Sequence, residues 1–217
     1  MYCCKVFSIS VLANLEEKDM AENLLIVHGG GPTAVMNGSL YGAIKEAKKS
    51  DKIGHIYGAN NGTGGFLKKD FLELENIPEE KLKLLLQTPG TAIGTSRDPI
   101  EQEHYEKMAD ILEEENIKYV LFNGGNGTMD TCGKLHKTCQ KRNLDVKVMG
   151  IPKTTDNDIA VTDHSPGFGS AAKYMAACTQ ELAADVRSLP IHVVVMERQA
   201  EMQDGLQRPV HWREKKG

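Results

Sequence analysis

The sequence predicts an α/β fold, a mainly parallel sheet with helices on both faces. Short apolar runs, of the kind buried on both sides of a sheet, alternate with segments of helical period through residues 20–196. Two of these runs stop at glycine clusters that open onto a helix, His28-Gly29-Gly30-Gly31 and Asn123-Gly124-Gly125-Asn126-Gly127. No internal repeat, low-complexity segment or linker interrupts the stretch, so residues 20–197 read as one domain.

The totals exclude several classes. An apolar share of 40% with 26% charged residues is that of a soluble globular chain, and 217 residues can bury a real core. A net charge of −4 supplies no field to recruit nucleic acid or an anionic membrane. Five cysteines without a C-x-x-C spacing suggest neither zinc nor a disulfide framework, and reduced thiols in a cytoplasmic protein are expected. No apolar run approaches the ~20 residues that span a bilayer.

Residues 1–19 differ in character from the rest of the chain and read as an extension or a mis-called start, with Met20 directly ahead of the domain. They lack a small-residue cleavage pattern, so secretion is not expected. A first strand is predicted over 24–27, then a helix with Met36, Leu40, Ile44 and Ala47 on one face. Residues 53–59 are the next strand, closed by Asn60-Asn61-Gly62-Thr63-Gly64-Gly65, and 78–86 a short helix with Pro78 near its first turn. An amphipathic helix over 101–116 puts His104, Met108, Ile111 and Leu112 near one face, with His104 at its surface or boundary rather than in a site. A buried-type strand over 119–122 leads into the second glycine loop and a helix carrying Met129, Cys132, Leu135 and Cys139. Strands over 146–150 and 191–196 flank a small-residue helix over 167–186.

Chemistry is expected where strands end, because open α/β sheets bind ligands there. A strand, a glycine turn and a helix point backbone N–H groups at a phosphate, although turns alone also explain many glycine clusters. Small residues leading to Arg97 suit a loop that lets a guanidinium reach phosphate; a solvated surface arginine is the alternative. After the strand over 146–150 comes Ile151-Pro152-Lys153-Thr154-Thr155-Asp156-Asn157-Asp158, in which Asp156 is expected to be a base for phosphoryl transfer to a sugar hydroxyl. Asp and Asn also favour turns, the competing role for Asp156 and Asp158.

Together GGGPTAVMN (29–37), GTSRDP (94–99), GGNGT (124–128), PKTTDND (152–158) and TDHSPGFGSAAKY (162–174) resemble the 6-phosphofructokinase family, in the branch that includes pyrophosphate-dependent enzymes. The resemblance covers roughly residues 23–197 and implies a Rossmann-like N-terminal domain. It also implies that Gly30, Gly31, Arg97, Gly125, Asn126, Gly127 and Thr128 bind the phosphoryl donor, ATP or pyrophosphate, with its Mg²⁺. Thr154, Thr155 and Asp156 would contact fructose 6-phosphate, Asp156 would take the proton of its 1-hydroxyl, and Lys153 and Asp158 would shape the local field. Phosphoryl transfer asks for alignment, charge neutralisation and a base, which such residues supply. The resemblance implies a cytoplasmic glycolytic transferase, homo-oligomeric as the family is.

Two positions depart from the family pattern. Asn126 stands where most members carry a metal-binding Asp, which weakens direct metal ligation there. Gly127 leaves room for ATP where pyrophosphate users typically have Asp, whereas Lys153 is common among pyrophosphate enzymes. Lipid-type and NAD kinases share a GGDGT-like loop, but nothing in them accounts for PKTTDND. A catalytically inactive phosphate- or nucleotide-binding domain is the non-enzymatic alternative.

After about residue 197 the resemblance stops, and the polar tail 198–217 has neither helix nor strand period. Codons for residues 199–213 can be chosen so that another frame reads GRNAGWLAAASALA, similar to the family's continuation. A frameshift after about Glu197, and little or no kinase activity in the chain as it stands, are therefore expected. Sequencing the locus tests this: codons incompatible with that second frame sink the frameshift.

Overall fold

The computed structural model describes residues 21–190 and 193–196. Strand β1 (Glu22–Gly29) leads to α1 (Ala34–Ala47), β2 (Ile53–Ala59), α2 (Thr63–Lys68), β3 (Phe71–Glu73), α3 (Glu79–Lys83) and a 3-10 turn (Leu84–Gln87). Then come α4 (Gln102–Glu114), β4 (Ile117–Gly124), α5 (Asn126–Lys141), β5 (Lys147–Pro152) and α6 (Phe168–Ser188). The chain divides after Pro152 into two compact units, each described by itself.

The first unit is a five-stranded sheet in the order β3-β2-β1-β4-β5. All its pairings are parallel except β2 with β3. Successive side chains of β1 enter opposite faces, as the period of two requires. Leu25 and Val27 pack with Val120 and Phe122 of β4, Met108 and Leu112 of α4 and Leu135 of α5. Leu24 and Ile26 pack with Leu40 and Ile44 of α1, Ile56 of β2 and Leu82 of α3. Burying each such side chain contributes on the order of 1.5–3 kcal/mol, so both faces are held by helices, as the continuous apolar runs predict.

Several expectations are corrected. β3 and α2 were not predicted: three residues carry no readable period, and α2 (TGGFLK) has two glycines of poor helix propensity. α2 forms because Phe66 is fully buried in the core. On α4 the inward face is Tyr105, Met108, Ala109, Ile111 and Leu112, while His104 accepts the Glu101 N–H at 3.0 Å and caps the helix start. Of the strand expected over 191–196, residues 191–192 lie outside the described residues, and Val193–Met196 are not a strand. Val193 and Val195 are 79% and 88% exposed; a strand needs a hydrogen-bonding neighbour, and none pairs with them among the described residues. The expected extension over 1–19 and the tail over 198–217 lie outside the described residues.

β1 joins β2 on one side and β4 on the other, so the strand order reverses between β1 and β4. Their register sets His28 beside Asn123 and Gly29 beside Gly124. Thr128, on the first turn of α5, fills the space over both glycines. A side chain at Gly29 would strike Thr128 first, whereas one at Gly124 would strike the Gly29 carbonyl as closely as Thr128. One residue back, the fully buried His28 ring takes two partners. The Asn123 amide is oriented by donation from Nδ2 to the Met36 carbonyl at 3.1 Å, and Nδ2 also donates to His28 Nε2 at 3.3 Å. Nε2 is then an acceptor, so Nδ1 carries the proton and donates to Thr91 Oγ1 at 2.6 Å.

Burial lowers the His28 pKa from 6.5 to about 4. Between these values the unfolded chain takes up a proton that the folded chain refuses. His28's contribution is therefore complete above pH 6.5 and is lost as pH falls towards 4, by up to about 3 kcal/mol. Urea unfolding across pH 4–7 is expected to show this loss, and His28→Gln to flatten it. Overpacking at the strand ends should separate two glycines. Gly29→Ala is expected to destabilise by ~1–3 kcal/mol and to be partly relieved by Thr128→Ala, while Gly124→Ala is not, because backbone blocks it. Denaturant midpoints of the single and double variants check this.

Candidate phosphate-binding site and acceptor loop

The β1 and β4 ends bracket the reversal in strand order, the crevice in which open α/β sheets bind ligands. Each strand opens onto a long helix, α1 and α5, with no acidic residue in its first turn and no side chain capping it. Such helix starts favour an anion through their N–H groups and dipole. Gly30 sits at φ 79°, and the place of its missing side chain is 3.9 Å from both the Gly125 nitrogen and Thr128 Oγ1. The β1 and β4 loops therefore approach one another at Gly30, Gly125 and Thr128.

The third component is the loop after the 3-10 turn. Asn37 of α1, fully buried, donates to the Thr88 carbonyl and accepts from the Ala92 N–H, both at 2.8 Å. Thr95 Oγ1 donates to the Gly30 carbonyl at 2.9 Å, and the Gly30 N–H donates to the Ser96 carbonyl at 3.0 Å. Ser96 Oγ in turn accepts the Thr63 N–H at 3.2 Å. These bonds lay the loop along the β1 end and bring Arg97 Nη2 to 3.3 Å from where a Gly31 side chain would start. Among the described residues no carboxylate pairs with the exposed Arg97.

Of the residues expected to bind donor, the structure brings together Gly30, Gly31, Arg97, Gly125 and Thr128. Asn126 and Gly127 lie exposed on the first turn of α5, and nothing lies within 4 Å of where a Gly127 side chain would begin. Gly30 contributes room rather than a donor, because its N–H already serves Ser96. Sequence reasoning missed Asn37, Thr95 and Ser96, which hold the arginine loop; GGGPTAVMN and GTSRDP contain them, but only the folded contacts reveal what they tie.

No group of three or more metal-binding side chains occurs among the described residues. The α5 turn offers the neutral Asn126 amide and the Thr128 hydroxyl. Mg²⁺ keeps several waters and takes much of its ligation from substrate phosphates. These residues therefore fit a magnesium ion arriving with its phosphate donor, not a standing protein-built metal cage.

The second unit holds the loop expected to contact the sugar, Lys153 to Asp158. Thr154 is buried and bridges to Gly167. Its Oγ1 accepts the Asp156 N–H at 3.0 Å. Asn157, at φ 57°, donates to the Asp163 carbonyl at 3.1 Å and accepts the Ser165 N–H at 2.7 Å. Turn chemistry thus falls to Thr154 and Asn157. Among the described residues no side-chain hydrogen bond or ion pair engages the half-buried Asp156 carboxylate. Lys153, Thr155 and Asp158 are also half-buried on this loop.

The described helices include none long and apolar enough to cross a membrane. The family described as Phosphofructokinase matches residues 23–200. A pyrophosphate–fructose 6-phosphate 1-phosphotransferase from Halomonas elongata is 35% identical over 173 residues, 77% of this chain and 41% of that protein. A sulfofructose kinase from Alkalicoccus urumqiensis is 34% identical, over 76% of this chain and 42% of its own. The crystal structure of a pyrophosphate-dependent phosphofructokinase from Nitrosospira multiformis superposes with a TM-score of 0.72 at 37% identity, covering 77% of this chain and 42% of that one. This chain thus spans well under half the length of these relatives. With the matched profile covering most of its residues and the glycine loops in place at the sheet's reversal, the chain belongs to the phosphofructokinase family.

Proposed function

We propose that this chain supplies the donor-binding part of a phosphotransferase that converts fructose 6-phosphate to fructose 1,6-bisphosphate. The observation that carries the reading is the convergence of Arg97, Gly31, Gly125 and Thr128 at the reversal between β1 and β4. The donor's terminal phosphates lie between the β1 and β4 loops, with the Arg97 fork on their oxygens. Asn126 and Thr128 would hold a Mg²⁺ brought by the donor, and the ion would supply neutralisation of phosphate charge.

Asp156 accepts the proton of the sugar 1-hydroxyl. That oxygen forms the new bond to phosphorus as the bond to the leaving phosphate or nucleoside diphosphate breaks. Thr154 turns the backbone so that the Asp156 carboxylate stays available, and Lys153, Thr155 and Asp158 complete the acceptor loop. A family homo-oligomer is the expected assembly.

ATP is the donor the open space at Gly127 favours, since a nucleoside needs room that pyrophosphate does not. Pyrophosphate is the second reading, favoured by the relatives from Halomonas and Nitrosospira. Calorimetric titration of the magnesium complexes of ATP and pyrophosphate separates the two. Gly127→Asp is expected to weaken ATP at least tenfold and to spare pyrophosphate. Arg97→Ala is expected to weaken either donor about 10- to 100-fold, the range of a charged hydrogen bond. Binding of neither donor refutes the reading. For the acceptor, in the frame-corrected full-length chain, Asp156→Asn is expected to lower sugar bisphosphate formation by ~10²–10⁴ without changing donor affinity. Equal rates exclude Asp156 as the base, and turnover confined to sulfofructose moves the chain towards the Alkalicoccus relative's acceptor.

A further inference from the structure

We propose that His28 and Thr91 are positioning residues for Arg97, a pair that sets the arginine loop against the β1 and β4 loops before any donor arrives. The inference rests on the donor-site reading above and adds two residues that none of the five family-like motifs assigns. His28 occupies a strand-core position where Val or Ile would bury more easily, since an imidazole must be desolvated and given partners. Its ring joins two elements: Nε2 accepts from Asn123 at the end of β4, and Nδ1 donates to Thr91 Oγ1.

Thr91 passes the constraint forward. Its hydroxyl donates to the Gly94 carbonyl at 3.2 Å, and the Gly94 N–H returns to the Thr91 carbonyl at 3.4 Å, closing the turn 91–94. Gly94 takes φ 72° there, and a side chain on it would strike Asn61. The Asn61 N–H fixes the same turn from outside by donating to the Ile93 carbonyl at 2.8 Å. Three residues later Arg97 stands over Gly31. A long, flexible guanidinium binds best when its backbone origin is already set, because ordering it on binding costs affinity. A hydrogen bond from the rigid β1 end to the start of the turn does this. It acts on Arg97 without touching the ligand.

Thr91 gives the cleaner test, because it is half-buried and its hydroxyl is the link between ring and loop. The magnesium complexes of ATP and of pyrophosphate are each titrated into the full chain, Thr91→Val, Arg97→Ala and the double variant, with folding followed by circular dichroism. Thr91→Val is expected to weaken binding about tenfold, Thr91→Ser to restore it to within about twofold, and Thr91→Val to cost nothing further once Arg97 is Ala. Thr91→Ala is made alongside, in case the valine is not accommodated, with the same expected loss. Amide exchange at residues 94–97 is expected to quicken in Thr91→Val and in His28→Gln without ligand.

Binding lost in Arg97→Ala but unchanged in Thr91→Val overturns the positioning role alone. So does the same factor lost with and without Arg97, which marks a general structural effect. Absence of binding of both donors to the unsubstituted chain, or binding indifferent to Arg97→Ala, overturns the donor-site reading and this inference with it.

Discussion

Parallel pairing of β1 with β4 is the constraint that shapes the ligand-facing end. Once His28 stands beside Asn123, Gly29 must stand beside Gly124, and both strands must release their chains at the same height. Two backbones leaving side by side cannot both carry side chains there, because Thr128 of α5 already fills the space above them. The glycines are thus a packing requirement first. Beside them Gly30, at φ 79°, takes a backbone conformation that a side chain would strain.

Polar contacts then do at this end what apolar ones do elsewhere. Through the sheet, Leu24 to Val27 alternate between two hydrophobic layers, an arrangement that tolerates some exchange of similar side chains. At the strand ends and on the first turn of α1, His28, Asn123 and Asn37 are nearly or wholly buried, and their bonding is directional. His28 and Asn37 both tie down residues 88–92, and Asn123 reaches Met36. Loss of one partner leaves another buried and unsatisfied, so the network specifies a single loop conformation more sharply than apolar packing could. Rigid placement of Arg97, without the arginine itself being buried, is the outcome.

The acceptor loop obeys a different rule. Asn157 closes residues 157–165 with its own amide, and Thr154 closes the turn before it. Asp156 lies between two residues that satisfy the backbone, so its carboxylate is not spent on turn chemistry among the described residues. An aspartate committed to capping would have been a poor base, since each hydrogen bond to its oxygens stabilises the unprotonated form and weakens its hold on a proton.

The sequence alone was enough for fold class, most elements and the glycine loops at the strand ends, because apolar runs, helical period and glycine clusters are local signals. It could not show that His28 is a buried bridge, because its partners Thr91 and Asn123 lie 63 and 95 residues away. Nor did it show that Asn37 holds the arginine loop, that Tyr105 takes the inward position on α4, or that α2 forms on the strength of Phe66. The expected strand over 191–196 had the right composition, yet residues 193–196 have no neighbour to pair with among the described residues. Periodicity reports what a segment can bury. Which partner it meets, and which hydrogen bonds the encounter completes, is decided only when distant parts of the chain are brought together.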